Sequence, residues 1–161
     1  MAKKTKADAA NGTHKLGENG AKLEAIVRAA GAIAMEHFTG GTKQWAKADG
    51  QPVSDADMAV DHMLKQALLD AWPDFGWISE ETETAPSNAS DGSTWIVDPI
   101  DGTRAFLQGG DDWGISVALV SEGEPVLAAF FAPARGEMYM AGDGAGALLN
   151  ETKLKAAPMS D

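Results

Sequence analysis

Cysteine is absent from the 161-residue sequence, which removes disulfides, zinc–thiolate sites and thiol catalysis together. The absence also fits a reducing cytoplasm, the compartment expected here. Basic residues are scarce: 13 Lys and Arg stand against 24 Asp and Glu, a formal net charge of -11. Nonspecific binding to a nucleic-acid polymer needs clustered Lys and Arg, so that partner class is excluded. No apolar run approaches the roughly 20 residues of a membrane span, so no membrane partner is expected either. Lys3, Lys4 and Lys6 open the chain, but no apolar stretch follows them as in a secretory signal. Histidine is rare, and His14, His37 and His62 are placed in a polar tail and on helix surfaces rather than among ligands. What remains is ordinary for a globular domain, with 44% hydrophobic and 23% charged residues. A chain of this length, folded as one unit, buries roughly 68–70% of its unfolded surface.

Residues 1–20 are polar and without periodicity and are expected to form a disordered tail. Leu23, Ile26, Val27, Ala30, Ile33, Ala34 and Phe38 recur at helical spacing and predict a helix over 21–38. Thr39-Gly40-Gly41 ends it, and 42–53 is read as a short hairpin or an open loop. A second helix starts at Ser54, where Ser54 and Asp57 resemble a capping box with Asp in place of Glu. Val60, Met63, Leu64, Ala67, Leu68 and Ala71 form its expected buried face, and Trp72-Pro73-Asp74 closes it. The period then becomes strand-like. Strands are expected at 76–79, 94–98, 113–121, 124–132, 137–141 and 146–150, with 94–98 buried on both faces. Residues 98–110 are expected to hold a turn and one helical turn. The fold class is therefore α+β, two helices packed on a mostly antiparallel sheet.

The segment Trp95-Ile96-Val97-Asp98-Pro99-Ile100-Asp101-Gly102-Thr103 carries the chemistry. A buried strand ends in an acid, a proline fixes the turn, a second acid follows three residues later, and Gly102 lets a ligand approach closely. Such a turn can aim two carboxylates at one point. Thr103 then opens a helix whose N–H groups could hold phosphate, and hard cations such as magnesium want oxygen ligands of this kind. On spacing alone, Asp-Pro and Asp-Gly are equally common turn dipeptides, and Asp98 could merely cap a turn. Two further acidic clusters shift the balance: Glu80-Glu81 at the end of another short strand, and Asp57 in the first turn of a helix.

These three elements resemble, in order and spacing, the signatures of the inositol monophosphatase superfamily. The segment 95–103 looks like its Asp-Pro-Ile-Asp-Gly-Thr motif. Val53-Ser54-Asp55-Ala56-Asp57 is similar to its Val-Thr-x-Ala-Asp element, and Ile78-Ser79-Glu80-Glu81 to its Glu-Glu element. The likeness continues through Ala132-Pro133-Ala134, Glu137-Met138-Tyr139 and 144–150. It implies that 21–155 is the N-terminal metal-binding portion of a layered α/β sugar-phosphatase fold. It also implies roles. Glu80, Asp98 and the Ile100 carbonyl would hold one Mg2+, and Asp98 and Asp101 a second, with two or three ions in the complete fold. Thr103 and Asp57 would hydrogen-bond a metal-held water and help activate it, with Glu80 counted beside them in catalysis. Gly102, Thr103 and Asp101 would contact substrate, and Lys47 a metal-held water or phosphate.

The resemblance implies a lithium-sensitive, magnesium-dependent hydrolase acting on a small phosphorylated metabolite, and a homodimer. Inositol phosphate, a 3′(2′),5′-bisphosphate nucleotide and histidinol phosphate are the candidate substrates. Ser79-Glu80-Glu81 and Ala132-Pro133-Ala134 look more like the nucleotidase branch. Asp101-Gly102-Thr103-Arg104-Ala105-Phe106 looks more like the histidinol-phosphatase-type branch. The family's second half supplies a further aspartate in a Trp-Asp-x-Ala element, and no Trp-Asp pair occurs here; Asp112-Trp113 has the reverse order. The expectation is a truncated chain, with 156–161 as a cut C-terminal end and an exposed sheet edge or apolar patch where the second half would pack. The alternative reading is a catalytically silent, cation-binding domain.

Overall fold

A helix bearing an apolar stripe cannot keep that stripe in water, and here two such helices bury theirs against one face of a sheet. The computed structural model describes residues 15–158. The expected tail lies outside the described residues up to position 14, as do the last three residues of the expected C-terminal end.

Helix α1, Gly17–Gly40, begins four residues before the sequence pattern suggested and continues two beyond it. Gly17, Asn19 and Gly20 are poor helix formers, so local propensity hid this first turn. Packing overrides it: Gly20 is buried, and Leu16 packs against the core. Leu23, Val27, Ala30 and Ala34 are fully buried, and Gly31 lies directly against the Phe131 ring. Strands β1, Gln44–Ala46, and β2, Pro52–Ser54, form the antiparallel hairpin.

Helix α2, Asp55–Ala71, starts with the expected capping box, both reciprocal hydrogen bonds being present. Its buried positions include Ala56, Val60, Leu64 and Leu68, and also two acids one turn apart, Asp57 and Asp61. Among the described residues no helix is long and apolar enough to cross a membrane.

The main sheet has seven strands in chain order: β3 Gly76–Ser79, β4 Thr94–Asp101, β5 Gly114–Ser121, β6 Glu124–Ala132, β7 Glu137–Gly142, β8 Gly146–Leu149 and β9 Thr152–Lys153. A short helix α3, Thr103–Leu107, follows β4. Every neighbouring pair is antiparallel except β3 and β4, which run parallel. A parallel pair cannot be joined by a tight turn, and residues 80–93 make the crossover.

The expectation that 94–98 is buried on both faces is corrected. Burial alternates along β4, and Ile96 is 43% exposed. Both helices lie on the face holding Trp77, Trp95, Val97 and Val117, so among the described residues the opposite face carries no helix layer. The ladder lines up Ile78, Ile96, Ala118, Ala128, Ala141 and Ala147 there, an apolar row. Changing both Ile78 and Ile96 to threonine should reduce self-association in light scattering. Threonine keeps the strand preference, so stability should move by only about 0.5 kcal/mol.

Candidate metal and phosphate site

The site begins where β4 leaves the sheet. Its register with β5 shifts between Asp98 and Asp101, and such a bulge redirects side chains at a strand end. Gly102 then takes φ 88°, and a side chain there would stand 2.5 Å from the Asp112 carbonyl oxygen. Only glycine satisfies both the left-handed backbone and the close approach. Pro99 and Ile100 are buried, anchoring the turn between the two acids.

Thr103, the first residue of α3, donates its hydroxyl to Asp57 Oδ1 at 3.0 Å and lies 3.0 Å from the Ile100 carbonyl oxygen. The other carboxylate oxygen of Asp57, Oδ2, accepts from the Ser54 amide at 2.8 Å and the Ser54 hydroxyl at 2.6 Å. One buried carboxylate therefore caps α2 and fastens the turn after β4.

Parallel pairing sets the second half of the site. Ser79 lies opposite Val97, so Glu80 leaves β3 at the end where Asp98 leaves the ladder, and the two border one small cleft. Burial, and after it the like charges of Glu80, Asp101, Asp57 and Glu81, together raise the Asp98 carboxyl from 3.8 to about 7. The four acids thus face Asp98 closely enough to be felt. One cation answers them: Lys47, from the β1–β2 loop, donates to Glu81 Oε1 at 2.6 Å. Burial holds the Glu81 carboxyl above its ordinary value, with Asp57 and Glu80 adding to it, against the hydrogen bond and charge of Lys47. Burial works to lower the Lys47 ammonium, but the Glu81 hydrogen bond and the charges of Glu81, Glu80 and Asp57 outweigh it and raise it.

Five carboxyl groups with one ammonium form an oxygen-rich, under-neutralised set, which suits a hard divalent cation. Among the described residues no three of these side chains are drawn up as a ready-made metal cage.

The sequence-derived candidates fall into two linked groups. Asp57, Ile100 and Thr103 join through hydrogen bonds, while Glu80, Asp98 and Asp101 join through their fields. Gly102 lies between Asp101 and Thr103 in the same turn. Of the two tryptophans that flank the turn in sequence, Trp95 is fully buried against Trp72 and Phe75. Trp113 packs on Phe38 and Phe106 and also borders a cleft of about 490 Å³ beside Asp101 and Gly102.

Residues passed over in the sequence also appear. Arg135, on the β6–β7 turn, donates to Asp111 Oδ1 at 3.3 Å and to the Asp112 carboxylate, beside the same cleft. Asp111 and Asp112 left no mark of this clamp in the sequence, because Arg135 lies more than 20 residues away. Asp61 was missed because a lone acid on a helix reads as surface.

The inositol monophosphatase family model matches residues 18–161. A histidinol-phosphatase of Chlorobaculum parvum is 34% identical over 137 residues, 84% of this chain and 52% of that protein. An inositol-1-monophosphatase of Rhizobium meliloti is 43% identical over 104 residues, 64% of this chain and 38% of that protein. The crystal structure of extragenic suppressor protein suhB from Bartonella henselae superposes with a TM-score of 0.82 at 28% identity, covering 86% of this chain and 54% of that one. The chain thus spans about half the length, or less, of the curated relatives it matches.

Proposed function

The chain belongs to the inositol monophosphatase family, and from that premise we propose that it carries the metal-binding and water-activating half of a magnesium-dependent phosphomonoesterase. The observation that carries this reading is the Thr103 hydroxyl, held between Asp57 and the Ile100 carbonyl at the mouth of an under-neutralised acidic cluster. In the proposal Glu80, Asp98 and the Ile100 carbonyl would hold one Mg2+, and Asp98 and Asp101 would help hold a second. When bound, magnesium supplies Lewis-acid stabilisation of phosphoryl oxygens and a lower pKa for water.

The chain's own groups do the rest. Thr103 Oγ1 already donates to Asp57 Oδ1, which leaves its lone pairs free to accept from a water. A proton leaving that water then passes to Thr103 Oγ1 as the threonine proton moves to Asp57 Oδ1. The water oxygen attacks phosphorus, the ester P–O bond breaks with its electron pair on the departing oxygen, and that oxygen takes a proton from solvent water to leave as the alcohol. The backbone amides of Gly102 and Thr103 orient the phosphate, and Asp101 meets a hydroxyl of the leaving group. Lys47 stays on Glu81, where its hydrogen bond and charge oppose the effect of burial on that acid.

The substrate class is a small phosphate monoester. The conflicting motif hints keep inositol phosphate, bisphosphate nucleotide and histidinol phosphate together as candidates. Lithium, another small hard cation, is expected to compete for the same oxygens, and the proposed setting is the cytoplasm.

Because the chain spans about half of its relatives, binding and turnover are measured separately. Calorimetric titration with Mg2+ is paired with inorganic phosphate release from each of the three substrates, on this chain and on Asp98→Asn. Magnesium uptake and phosphate release by the parent alone support the proposal. Uptake without release assigns this chain the silent cation-binding role, and no uptake by the parent overturns the reading.

A further inference from the structure

Asp61 follows Asp57 by one helical turn on α2 and is fully buried. A buried acid needs partners for both oxygens, and Asp61 has two. The Ser79 hydroxyl donates to Oδ1, and the Thr82 hydroxyl donates to Oδ2 at 2.7 Å. The network extends outward at both ends. The Trp77 indole N–H donates to Thr82 Oγ1 at 3.0 Å, and the Glu81 amide donates to Ser79 Oγ at 3.2 Å. Ser79 and Thr82 bracket the dipeptide Glu80-Glu81. Asp61 therefore grips both ends of that segment from inside the core, although it faces none of the solvent that a ligand would come from.

We propose that Asp61 is a positioning residue that fixes the Glu80-Glu81 segment against α2, so that these acids meet the cation where Asp57 already holds Thr103. The inference rests on the magnesium reading above for its functional consequence, and on the hydrogen-bond network alone for its structural one. A short crossover bearing adjacent acids repels itself, and without an anchor it would swing Glu80 away from Asp98. Two acids one turn apart on α2 thus divide the work: Asp57 sets the turn after β4, and Asp61 sets the segment after β3. Groups that orient metal ligands typically carry about 10–100-fold of metal affinity.

The test compares the parent with Asp61→Asn, Thr82→Val and Leu64→Ala. The last is a core truncation on the same helix that touches none of these groups by hydrogen bond. Magnesium affinity is read by calorimetry well below the unfolding midpoint, and hydrogen exchange of the Glu81 amide is read without metal. Asp61→Asn should weaken magnesium binding by about 10–100-fold and speed exchange at Glu81. Thr82→Val, which keeps the volume, should shift both in the same direction by less. Leu64→Ala should lower the unfolding midpoint at least as much and leave both unchanged.

Parental affinity and exchange in Asp61→Asn and Thr82→Val overturn the inference, and so does an equal loss of both in Leu64→Ala. A parent that takes up no magnesium brings down the phosphatase reading, while the exchange comparison on metal-free protein still decides the role of Asp61.

Discussion

Replacing Asp98 by asparagine is expected to stabilise the metal-free chain at pH 8 and to abolish its stabilisation by magnesium. The Asp98 carboxyl is raised to about 7 by burial and by Glu80, Asp101, Asp57 and Glu81, against about 3.9 in an unfolded chain. The folded state therefore binds more protons than the unfolded state between these values. Its contribution to stability is fully present below pH 4 and is lost as pH rises through 7. Metal-free parent should thus be more stable at pH 5 than at pH 8, whereas the asparagine variant lacks this contribution to the pH dependence. Asp98 is only half-buried, so solvent screening reduces the effect. A gain of roughly 1–2 kcal/mol for the variant at pH 8 is in the range seen when strained functional groups are removed.

Magnesium reverses the order. At a concentration of 100 times the dissociation constant it adds about 2.7 kcal/mol to a protein that binds it only when folded, and the variant should gain almost none of this. Urea unfolding at both pH values, with and without Mg2+, reads all four quantities. A variant less stable than the parent at pH 8 without metal would make Asp98 a structural cap of its turn.

Gly102→Ala is expected to destabilise more than any other single glycine-to-alanine change in the turns. The backbone at Gly102 has φ 88°, and the new methyl would meet the Asp112 carbonyl oxygen at 2.5 Å and Trp113 Cα at 3.2 Å. Both neighbours are main chain, so neither can swing aside as a side-chain tip could. A left-handed non-glycine residue alone costs about 1–3 kcal/mol. Gly50 has φ 83° with open space around its position, so Gly50→Ala isolates that conformational part. Gly102→Ala should cost roughly 1–3 kcal/mol more than Gly50→Ala, a range typical of overpacking. The turn can relax only by moving Asp101 and Thr103, so magnesium affinity should fall in Gly102→Ala and hold in Gly50→Ala. Equal destabilisation by the two substitutions would mean that the Asp112 contact yields easily and that the turn is less rigid than its geometry implies.

The sequence by itself determined the local features. The Ser54–Asp57 capping box, the strand and helix periods, and the Pro99- and Gly102-centred turn all depend on residues within one turn or one strand of each other. Each therefore leaves its mark in spacing. The two acids of that turn, together with Glu80 and Asp57, stood out as candidates because each sits at the end of a strand or the start of a helix, while the roles expected of them came from the family resemblance.

Only the tertiary structure decided how distant segments meet. Nothing in 76–79 and 94–101 announces that the strands run parallel, yet that direction brings Glu80 to the end of the ladder beside Asp98. Ile96 was read as core from its apolar run, and its exposure followed from layers elsewhere in the chain, since both helices chose the other face. Asp61 gives the clearest case. On helical spacing it is a surface acid, and it became an internal clamp because Ser79 and Thr82, 18 and 21 residues away in sequence, bring hydroxyls to both its oxygens. Periodicity records which way a side chain points along its own element, and the free energy of burial depends on what another element places opposite it.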